Sequence, residues 1–436
     1  MKDLCTLGWD EAAKRMDAGQ LSSVELVSAC LDQIARVDDQ IKAWRWVDAQ
    51  AALQEAERAD ALRAQGKILG PLHGLPLGVK DIIDTVLGGT EYGSPIYGGH
   101  RPRSNAACVS RAKQAGAIIL GKTHTTEFAY FRPAPTRHPQ AIDHTPGGSS
   151  SGSAAGVAAQ MVPVALGTQT AASVIRPASF CGVVGYKASW GDFSLAGIKP
   201  FAHSLDSLGF MARQVGDVQR LRSALLAPPV ASPSLADPPQ PDASTLQIWL
   251  CRGPHWDQAQ PESQAAVLWA AQTFRQAGAT VQEVTLPEGF DRLTEAQKTV
   301  MAFEAAQSLA SEYQDFGEQL SPQIRELIES GRGTTWSAYQ KAQALAHQCQ
   351  LAFSRWLSPG CLILTPSAMG EAPAGLHATG DPLFSRMWTL LHVPSLSLPG
   401  YRGPQGLPVG VQLIAAWRHD DDLLRQGRTA QRLLQG

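Results

Sequence analysis

Gly147-Gly148-Ser149-Ser150-Ser151-Gly152-Ser153 is the stretch on which the fold and the chemistry turn, because glycine and serine crowd together directly ahead of helix-like sequence. Residues 153–160 are small helix formers, and residues 162–167 read as a short strand with Pro163 near its start, where a missing amide hydrogen is tolerated. Upstream, residues 75–83 are apolar apart from Lys80 and Asp81, residues 106–115 read as a helix stopped by Gly116, and residues 117–120 read as a buried strand. Strands alternating with helices predict an α/β sheet. Nearer the start, Ser22 and Glu25 have capping-box spacing, and Val24, Val27, Leu31 and Ile34 recur at helical intervals. Asp48 then opens a second helix over residues 49–65, with Gly66 as its stop. Downstream, strands are predicted at 246–250, 280–285, 361–365 and 407–415, with helix over 261–278 and a mostly helical stretch to 357. Residues 227–243 carry six prolines and read as a linker or surface loop.

Composition narrows the class. Apolar residues make up 44% and charged residues 17% of the 436, material for a globular core rather than a disordered chain. The net charge is −2 with no basic block, so no nucleic-acid partner is expected. No stretch reaches the roughly 20 apolar residues of a membrane span, and the start lacks an apolar signal core, so a cytoplasmic protein without membrane contact is expected. The seven cysteines are scattered without CxxC spacing, which suggests free thiols and no zinc site.

The glycine-serine stretch admits three readings. A phosphate cradle lacks the Gly-Lys-Ser/Thr ending. A nucleophile elbow centred on Ser150 needs a preceding strand, and His144-Thr145-Pro146 is poor strand sequence. The third reading joins it to Gly167-Thr168-Gln169-Thr170-Ala171-Ala172-Ser173-Val174-Ile175-Arg176-Pro177 and to Gly74-Leu75-Pro76-Leu77-Gly78-Val79-Lys80-Asp81. A lysine in an apolar strand is costly: either it pairs with an acid such as Asp81, or burial lowers its pKa until it serves as a base for serine.

These three segments, in this order, resemble the amidase signature family. The likeness extends to Gly121-Lys122-Thr123-His124-Thr125-Thr126-Glu127-Phe128, Phe180-Cys181-Gly182-Val183-Val184-Gly185-Tyr186-Lys187, Ser204-Leu205-Asp206-Ser207-Leu208-Gly209 and Gly406-Leu407-Pro408-Val409-Gly410-Val411-Gln412-Leu413. It implies one α/β domain with a central mixed sheet flanked by helices. Within residues 1–436 it divides into N-terminal helices (1–70), a signature core (71–226), the Pro-rich loop (227–243) and a variable substrate region with a C-terminal return to the sheet (244–436). The implied chemistry is cofactor-free and metal-free amide hydrolysis. Lys80 is the base, Ser149 the relay in a cis peptide bond and Ser173 the nucleophile that becomes acylated. Backbone amides of Thr170, Ala171 and Ala172 face the oxyanion.

Two departures carry information. The family usually has two glycines where this chain has Ala171 and Ala172, a cost if the turn needs a left-handed backbone. Arg176 lies three residues after Ser173, and with Gln169 this resembles the malonamidase-like branch, in which Arg176 either meets a substrate carboxylate or braces the fold. His124 and Glu127 read as structural residues and Asp206 as a holder of the nearby loop, while Tyr130, Phe131, Trp336, Tyr339 and Trp388 are candidate pocket linings. The expected substrate is a small-molecule amide, urea or carbamate, and a homodimer is a family expectation. The alternatives are a glutaminase-type subunit of an aminoacyl-tRNA amidotransferase and a catalytically silent ligand-binding member.

Overall fold

A computed structural model describes residues 4–227 and 241–436; most of the Pro-rich stretch lies outside the described residues. Among the described residues, eleven strands form one sheet: β1 (Trp44–Val47), β2 (Pro76–Lys80), β3 (Ile118–Thr123), β4 (Val164–Gln169), β5 (Val184–Lys187), β6 (Ser207–Ala212), β7 (Gln247–Cys251), β8 (Thr280–Val284), β9 (Cys361–Pro366), β10 (Ser395–Arg402) and β11 (Pro408–Ile414). Their order across the sheet is β1-β3-β2-β4-β6-β5-β10-β11-β9-β7-β8. β3, β2 and β4 run parallel, as do β9, β7 and β8, while antiparallel pairings through β6, β5, β10 and β11 join the two groups. The sheet is therefore mixed and flanked by helices, as the resemblance to the amidase signature family implies.

Strand periodicity explains the burial on both faces. Val164 and Leu166 pack into one core cluster while Ala165 between them packs into another, and Ile119 is likewise set against Ile118 and Leu120. Successive side chains on a strand point to opposite faces, so a strand covered by helices on both sides needs a continuous apolar run. The helices Ser23–Ile41 and Ala49–Ala64 form where expected, the first with both halves of the Ser22–Glu25 capping box and the second capped by Asp48. β1, β5, β6 and β10 were not legible as strands. The first two have four residues each, and β6 and β10 carry Gly209 and Pro399-Gly400, which weaken the local strand signal.

Candidate active site

Lys80 ends β2 and Thr168 lies near the end of β4, its parallel neighbour. The turn over residues 147–150 feeds the helix Ser151–Ala158, and the turn over 170–174 leads from β4 into the helix Ile175–Cys181. Both turns thus meet at the carboxyl ends of parallel strands, where α/β sheets open their crevices.

Lys80 has no solvent exposure. Its Nζ lies 2.7 Å from Ser149 Oγ and 3.0 Å from Thr168 Oγ1. Burial pushes its pKa well below the ordinary lysine value, opposed only by the more distant charge of Asp206. The acid adjacent in sequence does not rescue it: Asp81 sits 3.1 Å from Lys122 Nζ, a contact of charges rather than a well-aimed hydrogen bond. Lys122 is equally buried and also donates to Ile83 O at 2.7 Å and Thr90 Oγ1 at 2.6 Å. One buried lysine therefore has a carboxylate and the other has hydroxyls, and only the second suits a neutral amine.

The Gly148–Ser149 peptide is cis. Ser149 and Ser173 border the same small cavity of ≈ 20 Å³, room for about one water molecule. Their hydroxyls make no direct hydrogen bond with each other. Ser150 donates its N–H to Ser173 O at 3.2 Å, tying the two turns together. The Ser150 side chain is fully buried and turned onto Thr168 O at 3.3 Å, so the elbow reading has no exposed hydroxyl to offer. Gly152 is required by closeness: an added Cβ would stand 2.1 Å from Ala43 O and 2.5 Å from His124 N. Gly152→Ala is expected to lower the stability measured by denaturant unfolding by roughly 3 kcal/mol, the upper range for overpacking.

In the second turn, every carbonyl is tied back. Thr170 O accepts from Gln297 Nε2 at 3.0 Å, Ala171 O from Thr389 Oγ1 at 2.8 Å and Ala172 O from Arg176 N at 3.0 Å. Among the described residues, nothing accepts from the N–H groups of Thr170, Ala171, Ala172 or Ser173. They are the uncommitted donors of the turn, available to a developing oxyanion. Neither alanine adopts positive φ, so the left-handed backbone that would make glycine necessary does not arise. Asp206 holds the turn from outside, accepting from Thr170 Oγ1 at 2.5 Å, Phe201 N at 2.9 Å and Ala202 N at 3.0 Å, and burial raises its pKa to about 6.

The two substrate-contact candidates fare differently from expectation. Gln169 faces inward: its Oε1 accepts from Val174 N and Ile175 N at 2.9 and 3.1 Å, and its Nε2 donates to Thr389 Oγ1 at 3.1 Å. It caps a helix start instead of bordering the cavity. Arg176 borders the cavity, but its Nη groups are committed to Gly148 O at 2.7 Å, Thr379 Oγ1 at 3.1 Å and Gly380 O. Its guanidinium braces the approach to Ser149. Of the aromatic candidates, Tyr130 and Phe131 line the cavity with Phe201. Trp388 is core, Tyr339 donates to Glu304 Oε1 at 2.7 Å, and Trp336 is 58% exposed; none of the three borders the site.

Glu127 accepts from Ser94 Oγ at 2.8 Å and Ser321 N at 3.1 Å, and burial lowers the His124 pKa to about 4. The sequence reading missed Thr168, Gln297, Thr389 and Arg386. Arg386 alone left a signal, as the sole charge in the apolar helix Leu383–Leu390. A larger groove of ≈ 610 Å³ runs between the residues near Gly8 and those near Gln431. It contains none of Lys80, Ser149 and Ser173, so the smaller cavity, which both serines border, is the candidate site. Among the described residues, no group of three or more His, Cys, Asp or Glu is placed to hold a metal ion.

With this geometry in view, comparison with known proteins decides the family. The amidase family profile matches residues 25–424. The chain belongs to the amidase family. It is 33% identical to a subunit of glutamyl-tRNA(Gln) amidotransferase from Roseiflexus castenholzii, over 99% of this chain and 97% of that protein. The corresponding protein from Anaeromyxobacter dehalogenans, of the same name, is 34% identical, with coverage of 99% and 97%. The native peptide amidase of Stenotrophomonas maltophilia superimposes with a TM-score of 0.79 at 29% identity, covering 98% of this chain and 96% of that one. This amidase-family chain is thus a hydrolase of amide bonds by kinship. The curated relatives carry the name of an amidotransferase subunit rather than of the malonamidase-like branch. They also correct the partner expectation: proteins alike over nearly the whole chain are named for glutamyl-tRNA, so a near-neutral charge does not exclude nucleic acid or restrict the substrate to a free small molecule. No helix among the described residues is long and apolar enough to cross a membrane.

Proposed function

We propose that this protein cleaves an amide C–N bond through an acyl-enzyme on Ser173, with Ser149 as relay and Lys80 as base. The observation that carries the reading is a fully buried lysine held by Ser149 and Thr168 and paired with no carboxylate. Neutral Lys80 takes the Ser149 proton as Ser149 takes that of Ser173; a small rotation of the Ser173 hydroxyl closes the remaining step once substrate displaces water. The Ser173 oxygen attacks the carbonyl, and the uncommitted N–H groups of residues 170–173 receive the oxyanion, each worth about 3 kcal/mol. Nitrogen leaves with the returned proton, and water, giving its own proton along the same path, releases the acid and frees Ser173. The seven free, buried cysteines agree with a reducing, cytoplasmic setting. Labelling by a serine-directed fluorophosphonate, read by intact mass, tests the nucleophile: the adduct is expected on Ser173, and an adduct elsewhere overturns the assignment.

A second reading, a glutaminase-type subunit that passes ammonia to a glutamyl-tRNA amidotransferase, is favoured by the names of the curated relatives. Ammonia release from carboxamides by the isolated chain supports the hydrolase; release from glutamine only when glutamyl-tRNA and companion proteins of such a complex are added supports the amidotransferase role.

The base assignment fixes the sign of the pH dependence. Only neutral Lys80 accepts a proton, so kcat/KM rises as pH rises through the depressed Lys80 pKa, an acid limb well below the range of an ordinary lysine. The charge of Asp206 works against that depression, so Asp206→Asn is expected to move the acid limb to lower pH. A limb that moves to higher pH in a pH–rate series removes Lys80 as the titrating group.

A further inference from the structure

We propose that the acyl pocket takes an amide whose acyl side ends in an anion, a carboxylate or its equivalent, without a neighbouring ammonium, and that Arg386 is the residue that meets it. This deepens the reading of Ser173 as the acylated residue and rests on it. The cavity is bordered by two guanidinium groups, Arg176 and Arg386, and by no Asp or Glu. Arg176 has both Nη groups committed to backbone and Thr379, which leaves only a buried Nε without a partner and no two-pronged fork free. Arg386 is 5% exposed and makes one hydrogen bond, from Nη1 to Gln297 Oε1. Its Nε and Nη2 have no protein partner among the described residues, and it forms no ion pair.

The acids that influence it act from a distance. Asp381 is exposed and accepts from Leu383 N at 2.9 Å, and Glu295 is 75% exposed beside Lys298. A guanidinium stays charged, and the free Nε and Nη2 of Arg386 keep contact with solvent at the cavity. Nε–H and Nη2–H run parallel along one side of the group, the fork that receives a carboxylate through two hydrogen bonds. An anionic acyl group would therefore pair a guanidinium that the fold leaves without a carboxylate and open to an incoming ligand. An α-ammonium beside the same carboxylate would meet two guanidiniums and no acid, so an amino-acid amide is disfavoured.

Three probes of nearly equal size separate these statements: succinamate, its neutral counterpart butyramide, and asparagine, which adds the ammonium. With Ser173→Ala protein, calorimetry is expected to give succinamate at least about 10-fold tighter than butyramide, the lower end of the range for hydrogen bonds to a charged group, and tighter than asparagine. In active protein, the kcat/KM preference for succinamate over butyramide should fall by a similar factor in Arg386→Met. It should persist in Gln297→Met, which removes the same Arg386–Gln297 bond but leaves the guanidinium. Equal binding of succinamate and butyramide, asparagine equal to succinamate, or a preference that survives Arg386→Met overturns the inference. If none of the amides is hydrolysed, the binding series still decides the anion and only the acyl-enzyme reading fails. If fluorophosphonate labels Ser173 but succinamate shows no advantage, the anion inference fails alone.

Discussion

Ser173→Ala is expected to lower kcat/KM for amide cleavage by about 10⁴-fold or more, the scale seen when the nucleophile of a cooperating set is removed, and to abolish the fluorophosphonate adduct. The fold should tolerate the change. Ser173 holds its place through its backbone carbonyl, bonded to Ser150 N at 3.2 Å, and alanine keeps that bond. What disappears is the oxygen that forms the acyl bond, and the uncommitted amides of the turn then have a carbonyl to polarise but nothing to attack it. Unchanged turnover in Ser173→Ala, measured on protein free of wild-type carry-over, would place the nucleophile elsewhere.

The second large effect is a contrast between two buried lysines. Lys80→Met should reduce kcat/KM by about 10³-fold or more, within the range for a general base, and erase the acid limb of the pH profile. Stability should hold or rise at neutral pH. The folded pKa of Lys80 is lowered, so between that value and the unfolded one the native amine is neutral while the unfolded amine is charged; the mismatch costs stability that methionine does not incur. Lys122→Met should do the reverse. It leaves the Asp81 carboxylate buried without the ammonium 3.1 Å away, a loss of about 3–5 kcal/mol readable by chemical denaturation. If Lys80→Met unfolds the protein and Lys122→Met does not, the roles of base and structural cation are exchanged.

Helix ends were the most legible features, because the Ser22–Glu25 box and the Asp48 cap act within a few residues and need no distant partner. The glycine-serine turns and the strand lysine stood out as anomalies, but it was the resemblance to the amidase signature family that singled out Lys80, Ser149 and Ser173 among the readings those anomalies allow. The lining was legible only in part. Tyr130 and Phe131 reach the cavity while Trp336, Tyr339 and Trp388 do not, since an aromatic residue has the same local signature whether it packs in the core or faces a ligand. Gln169 looked like a contact and proved to be a cap, because a glutamine amide serves either purpose until its neighbours are known.

By itself the chain determined that strands alternate with helices, where the two serine turns fall and that a lysine lies inside a strand, all consequences of short-range pattern. Tertiary structure alone decided which acid belongs to which lysine. Asp81 follows Lys80 directly in the chain, yet β2 ends at Lys80 and Asp81 stands in the turn closed by Ile83 N on Lys80 O, where it meets Lys122, whose strand β3 runs beside β2, and Lys80 is left to Ser149 and Thr168. It also brought Arg386, from a helix far along the chain, to the edge of the cavity that Ser173 borders, a juxtaposition set by packing of the helix Leu383–Leu390 against the helix Leu293–Ser308, which carries Gln297.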